Sequence, residues 1–171
     1  MDKMEEKVHQ LLEQFSENLP HLSDGRIDYS NSDIAPVLTV FISFHKQLLL
    51  LKRSDKVRTY KGKWNTVAGY LDNPHQTLFE KVLEELHEEL SINRDQIASY
   101  SLGQKYEFTD KNNGKTWIVH PVLVSLSEKP NITIDWEHTT YIWIKADDIY
   151  EYDTVPNLKE SMKRALKLAS N

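Results

Sequence analysis

Apolar positions along the chain follow two rhythms, one recurring every three to four residues and one alternating or continuous, and the switches between them outline the elements. Met4, Val8, Leu11, Leu12, Phe15 and Leu19 form a helical stripe over residues 4–19 that stops at Pro20. Residues 36–44 and 47–51 are rich in β-branched and aliphatic side chains on either side of the polar pair His45-Lys46, the pattern of a hairpin whose second strand runs into Lys52-Arg53. A short strand is expected at 64–67 and an amphipathic helix over roughly 76–90. Residues 99–109 and 116–125 read as two long strands joined by the turn Asn112-Asn113-Gly114. Another strand at 140–145 leads to a helical turn near Asp147, and Pro156 opens a last helix bearing Leu158, Met162, Leu166 and Ala169. Strands before and after a central helix, with helices at both ends, predict an α/β (α+β) sandwich in which a mixed sheet is covered on both faces.

A chain of 171 residues with 39% hydrophobic content fits one compact domain with a proper core, and a second full domain is not expected. On this reading residues 1–30 are a helical extension packed on a domain formed by 31–171. The same stripe also suits a homodimer interface, which leaves the oligomeric state open. The absence of cysteine removes disulfides, thiolate metal sites and cysteine nucleophiles together. The opening residues lack the basic-then-apolar pattern of a signal peptide and the apolar runs are too short to span a bilayer, so the expectation is a cytoplasmic protein with no membrane partner. A net charge of -5 argues against an extended nucleic-acid surface, although Lys52, Arg53, Lys56, Arg58, Lys61 and Lys63 form a basic stretch just ahead of the central helix.

That helix carries the candidate chemistry. Leu78, Val82, Leu86 and Leu90 recur every fourth residue and line one face, while Glu85 and Glu89 stand four apart on another. Like charges at that spacing repel. A divalent cation relieves the repulsion, and hard oxygen ligands suit magnesium or manganese.

Residues 69–92 resemble the signature of the Nudix family: Gly, five residues, Glu, seven residues, Arg-Glu, an aliphatic, any residue, Glu-Glu, any residue, Gly, an aliphatic. Its second half matches as Glu85-Leu86-His87-Glu88-Glu89-Leu90-Ser91-Ile92. Residues 48–53, Lys63-Trp64 and Ala68-Gly69 resemble the family's lead-in, and Glu137-His138 ahead of Tyr141-Ile142-Trp143 resembles its closing strand, so the likeness extends over 34–168. There are departures. Glu84 stands at the signature's arginine, which in the family braces the catalytic loop; Gln76 stands at the upstream glutamate; Gly69 lies one residue too far away; and Ser91 replaces the late glycine. Lys81, one turn before Glu85, is a candidate to replace the arginine.

The resemblance implies a Nudix-like α/β/α sandwich and magnesium-dependent cleavage, with manganese as a substitute. The bond cut is the pyrophosphate of a small nucleotide-type substrate, a nucleoside diphosphate derivative or nucleoside triphosphate, by attack of water on phosphorus. By motif position it implies Glu85, Glu88 and Glu89 as metal ligands, joined by the main-chain carbonyl of Ala68, and Glu137 as general base. Arg53 is the candidate phosphate contact, because a guanidinium grips phosphate with two prongs, and Trp64 or Tyr60 could stack on a base, with a place in the core the commoner one for a tryptophan such as Trp64. His75, His87 and His138 lack zinc-site spacing and are expected at the surface or behind the site. Two other readings stand beside this one. Glu84, Gln76 and the extra loop residue suit a Nudix-fold binding or regulatory module without turnover, and the glutamates alone suit an ordinary solvated helix face. The substrate is not fixed by any of these residues.

Overall fold

The structure is a computed structural model describing residues 2–169, with side chains through residue 167. The side chain of Ala169, expected on the last helix's inner stripe, lies outside the described residues. Helix α1 (Lys3–Asn18) is capped by Asp2, whose carboxylate accepts the Glu5 N–H at 2.9 Å. Its apolar stripe sends Val8 and Leu12 into the main core. Among the described residues no helix is long and apolar enough to cross a membrane.

Strands β1 (Ile34–Phe44) and β2 (Gln47–Arg53) form the expected hairpin. His45 and Lys46 take φ values of 48° and 63°, the left-handed pair that a two-residue turn needs to match strand twist. The hairpin is short-lived as a pair. Only Ser43↔Leu48 and Phe44↔Gln47 face each other before the two strands diverge. Beyond that point β1 runs parallel to β7 (Thr116–Leu126) and antiparallel to β4 (Val67–Tyr70), while β2 pairs with β3 (Trp64–Asn65) and β8 (His138–Ile144). The strand expected at 64–67 is therefore two strands on opposite sides of this split. Thr66 makes the crossing, its hydroxyl donating to the Val40 carbonyl at 2.6 Å.

The long strand expected over 99–109 is also divided, into β5 (Ile97–Leu102) and β6 (Tyr106–Thr109), both antiparallel to β7. The break falls at Gly103, which presses against helix α3 (Leu158–Ala169) so closely that a Cβ there would meet the Arg164 carbonyl oxygen at 2.6 Å. The turn at 112–114 between β6 and β7 stands as expected, with Thr109 opposite Thr116.

Helix α2 (Leu78–Leu90) starts two residues later than its periodicity suggests, because Thr77 caps it. The Thr77 hydroxyl accepts the Glu80 N–H at 3.1 Å and the Glu80 carboxylate accepts the Thr77 N–H at 3.0 Å. Leu78, Val82, Leu86 and Leu90 bury against one face of the sheet together with α1. On the other face, Leu158, Met162 and Ala165 of α3 pack on Phe41, Leu48, Leu50 and Leu123. The result is the expected sandwich, a mixed eight-stranded sheet between helical layers.

Candidate active site

The acidic edge of α2 opens onto a cavity of about 870 Å³ that reaches across β4, β6 and β7 to the start of α3. At one end stand Glu85, Glu88 and Glu89 from α2 and Glu137 from the approach to β8. Glu85 and Glu89 are only 9% and 4% exposed, whereas Glu88 is exposed on the rim. Room for the Glu85 carboxylate comes from β4. A Cβ on Gly69 would lie 2.6 Å from Glu85 Oε1, so the glycine leaves open the space that the Glu85 carboxylate occupies. Ala68 lines the same cavity in its pairing with Thr39, which keeps its backbone beside the carboxylates.

Lys81 binds this end together. Its ammonium, on a residue 7% exposed, lies 2.8 Å from Glu84 Oε2, 3.0 Å from Glu85 Oε1 and 3.5 Å from Asp72 Oδ1. Burial disfavours the charge, but Glu84, Glu85 and Asp72 outweigh it and raise the Lys81 pKa. Arg26 Nη1 adds a contact of 3.6 Å to Asp72 Oδ2. A cation thus meets Glu85 even though position 84 carries a glutamate.

Glu89 is the group under most electrostatic pressure. Burial first, then the charges of Glu85, Glu137 and Asp135, hold its pKa well above the usual carboxylate value, and its Oε2 is buried without a hydrogen-bond partner. The Glu137 pKa is raised by burial and by Asp135, against the pull of Arg53. His138, expected at the surface or behind the site, is not at the surface: it is 6% exposed, because β8 pairs with β2 and seats it beside Glu89. Its Nδ1 lies 3.0 Å from Asp135 Oδ1 and its Nε2 3.9 Å from Glu89 Oε1. One donor atom from each of Glu89, Glu137 and His138 falls within 4.8 Å of the other two. His75 and His87 are exposed.

Arg53 and Tyr60 also line the cavity. Arg53 Nε donates to the Thr59 carbonyl at 2.9 Å, and the Tyr60 hydroxyl donates to Asp110. Trp64 does not line it. It meets Tyr152 edge to face at 5.6 Å on the α3 side of the sheet. The aromatic part of the lining is instead Tyr70, Tyr106, Phe108 and Trp117. Tyr70 and Trp117 ring centres are 5.7 Å apart, and the Lys115 ammonium lies 5.8 Å and 5.3 Å from the two rings. This wall was missed from sequence, although the alternation Tyr106, Phe108 and Trp117, Val119 marks side chains sharing one sheet face. Asp72 and Asp135 were missed as well and carry no helical spacing that would flag them.

The MutT protein from Methanosarcina mazei Go1 is 23% identical, with a TM-score of 0.63 over 81% of this chain and 96% of that chain. The MutT NUDIX hydrolase from Burkholderia pseudomallei is 21% identical, with a TM-score of 0.64 over 77% and 97%. A C. elegans Ap4A hydrolase binary complex is 18% identical, with a TM-score of 0.58 over 81% and 98%. No curated protein matches. At these identities the likenesses speak for the fold. The NUDIX domain model matches residues 34–167, from the start of β1 into α3, and the chain belongs to that family.

Proposed function

We propose that the protein is a metal-dependent, cytoplasmic hydrolase that cleaves the pyrophosphate linkage of a nucleoside diphosphate derivative or nucleoside triphosphate by water attack on phosphorus. One observation carries the reading: buried Glu85 and Glu89 share a single cavity with Glu137, Arg53 and an aromatic wall of Tyr70, Tyr106, Phe108 and Trp117. Glu85, Glu88, Glu89 and the Ala68 carbonyl would hold magnesium, or manganese in its place. The donor set fits, since it is all oxygen and includes a buried carboxylate oxygen with no other partner. Bound there, the metal screens the diphosphate charge and lowers the pKa of water. Glu137, its pKa raised by burial, is suited to accept the proton of the attacking water. Arg53 faces the phosphates, and Tyr60 or the Tyr70-Trp117 wall takes the base. The similarity to a C. elegans Ap4A hydrolase is in keeping with a phosphorylated nucleotide as substrate.

A nucleotide-binding module without turnover is the second reading, motivated by Glu84 and Gln76. The contact of Lys81 with Glu85 weighs against it, because a cation still braces the carboxylate. The test is release of phosphate or nucleotide with magnesium across nucleoside triphosphates, nucleotide sugars, ADP-ribose and dinucleoside polyphosphates. Glu85→Gln should lower turnover by about 100-fold or more, the scale of losing a positioned catalytic group, with an unchanged circular dichroism spectrum. Unchanged turnover in that variant refutes the ligand assignment; tight binding without turnover throughout the panel establishes the module.

A further inference from the structure

We propose that Glu89, Glu137 and His138 form a divalent-cation site with a nitrogen ligand, selective for manganese and its heavier first-row neighbours over magnesium, in which Asp135 orients the imidazole. The inference rests on the hydrolase reading and deepens it: Glu89 stays a metal ligand, and Glu137 gives one carboxylate oxygen to the cation while the other is left to accept the proton of water. Three donor atoms from these residues lie within 4.8 Å of one another. The separation of His138 Nε2 from Glu89 Oε1, 3.9 Å, is too long for a hydrogen bond. It falls inside the span of about 4.2 Å that two metal–ligand bonds of about 2.1 Å can bridge.

The imidazole is also set up to coordinate. Its Nδ1 lies 3.0 Å from Asp135 Oδ1, so the ring proton sits on Nδ1 and the Nε2 lone pair faces Glu89. Asp135 is itself held in the loop, accepting the Glu137 N–H at 3.3 Å through its carboxylate and the His138 N–H at 3.2 Å through its carbonyl. Glu89 supplies the independent sign of a missing partner. The residue is 96% buried by its 4% exposure, and Oε2 has no hydrogen-bond partner. An imidazole nitrogen among carboxylate oxygens favours manganese, cobalt or zinc, because magnesium takes oxygen ligands and gains little from nitrogen.

The experiment uses the full chain stripped of metal. Manganese binding is followed by electron paramagnetic resonance, magnesium binding by calorimetry, and pulsed resonance reads nitrogen coupling on bound manganese. The wild type should show that coupling and bind manganese at least about tenfold more tightly than magnesium. His138→Gln should lose the coupling and at least about tenfold in manganese affinity while magnesium affinity changes by less than about threefold. Should the variant fail to fold, the coupling in the wild type decides by itself. Bound manganese with oxygen ligands alone, or unchanged manganese affinity in a folded His138→Gln, overturns the inference. Hydrolysis with magnesium and with manganese, assayed separately, keeps the two claims apart: turnover without nitrogen coupling sinks only this site, and nitrogen coupling without turnover on either metal sinks only the hydrolase.

Discussion

Position 84 carries a carboxylate where the family signature has a guanidinium, and Lys81 occupies the space between that carboxylate, Glu85 and Asp72. The positive charge has moved one turn along the helix. Lys81→Met should therefore lower kcat/KM by about 10–100-fold, the effect of removing a partner that orients a ligand. Adding Glu84→Arg to that variant should restore most of the loss, whereas Glu84→Arg alone should gain little. Such non-additivity is what a double-mutant cycle detects, and additive effects would show that the two positions act independently. Melting of Lys81→Met should also reveal a loss of about 3 kcal/mol, because Glu85 would keep a buried charge without a counter-ion and Asp72 would keep only Arg26. At this scale Glu85 and Glu89 were legible because a helix turns a four-residue spacing into a shared face. Asp135 and His138 were not. Their approach to Glu89 depends on how the loop before β8 folds back, and no period in the sequence encodes that. Trp64 was readable only as two alternatives, since a tryptophan beside a basic stretch reads the same whether it faces ligand or core.

Helix α2 is stabilised unequally at its two ends. Thr77 and Glu80 satisfy each other's backbone donors at the start, and Thr77→Ala should cost about 1 kcal/mol. At the end, Ser91 holds φ 59° and ψ 31°, with its N–H donating to the His87 carbonyl. This left-handed geometry is the reason a glycine suits the position. Ser91→Gly should stabilise the fold by roughly 0.5–1 kcal/mol, since the Cβ penalty disappears. For a domain of this size each kcal/mol shifts the melting temperature by about 2–4 °C, so calorimetry resolves both changes. The helices and the β1-β2 hairpin were readable because their signals are local: periodicity, a cap, a polar pair between aliphatic runs. The divisions at Thr66 and Gly103 were not, because each is made by a neighbour distant in sequence, the Val40 carbonyl in one case and the Arg164 carbonyl in the other.

Across the whole molecule, the order of strands and helices announced the sandwich, but the parallel run of β1 against β7 at its centre was beyond sequence pattern. His120 lies in that run, 1% exposed, with Nδ1 3.1 Å from the Ile118 carbonyl and Nε2 unpartnered. Burial lowers its pKa from 6.5 to about 4, against the opposing pull of the Val37 and Ile118 carbonyls. Between those values the unfolded chain binds the proton and the folded one does not, so His120 makes stability fall as pH drops from 6.5 towards 4. Its share approaches about 3 kcal/mol at the acid end. Denaturant titrations at several pH values should give a shallower decline for His120→Gln than for the wild type, and identical slopes would remove the residue from the acid response. The same central pairing bears on how the chain finds its shape. Ile34↔Thr116 to Ser43↔Ser125 joins segments 82 residues apart in the chain (116 − 34), so the middle of the sheet closes only after a long loop has been ordered. Refolding on the millisecond-to-second scale is the expected result. On the ribosome, the aliphatic run of β1 and β2 emerges well before its parallel partner and must stay soluble until translation delivers it.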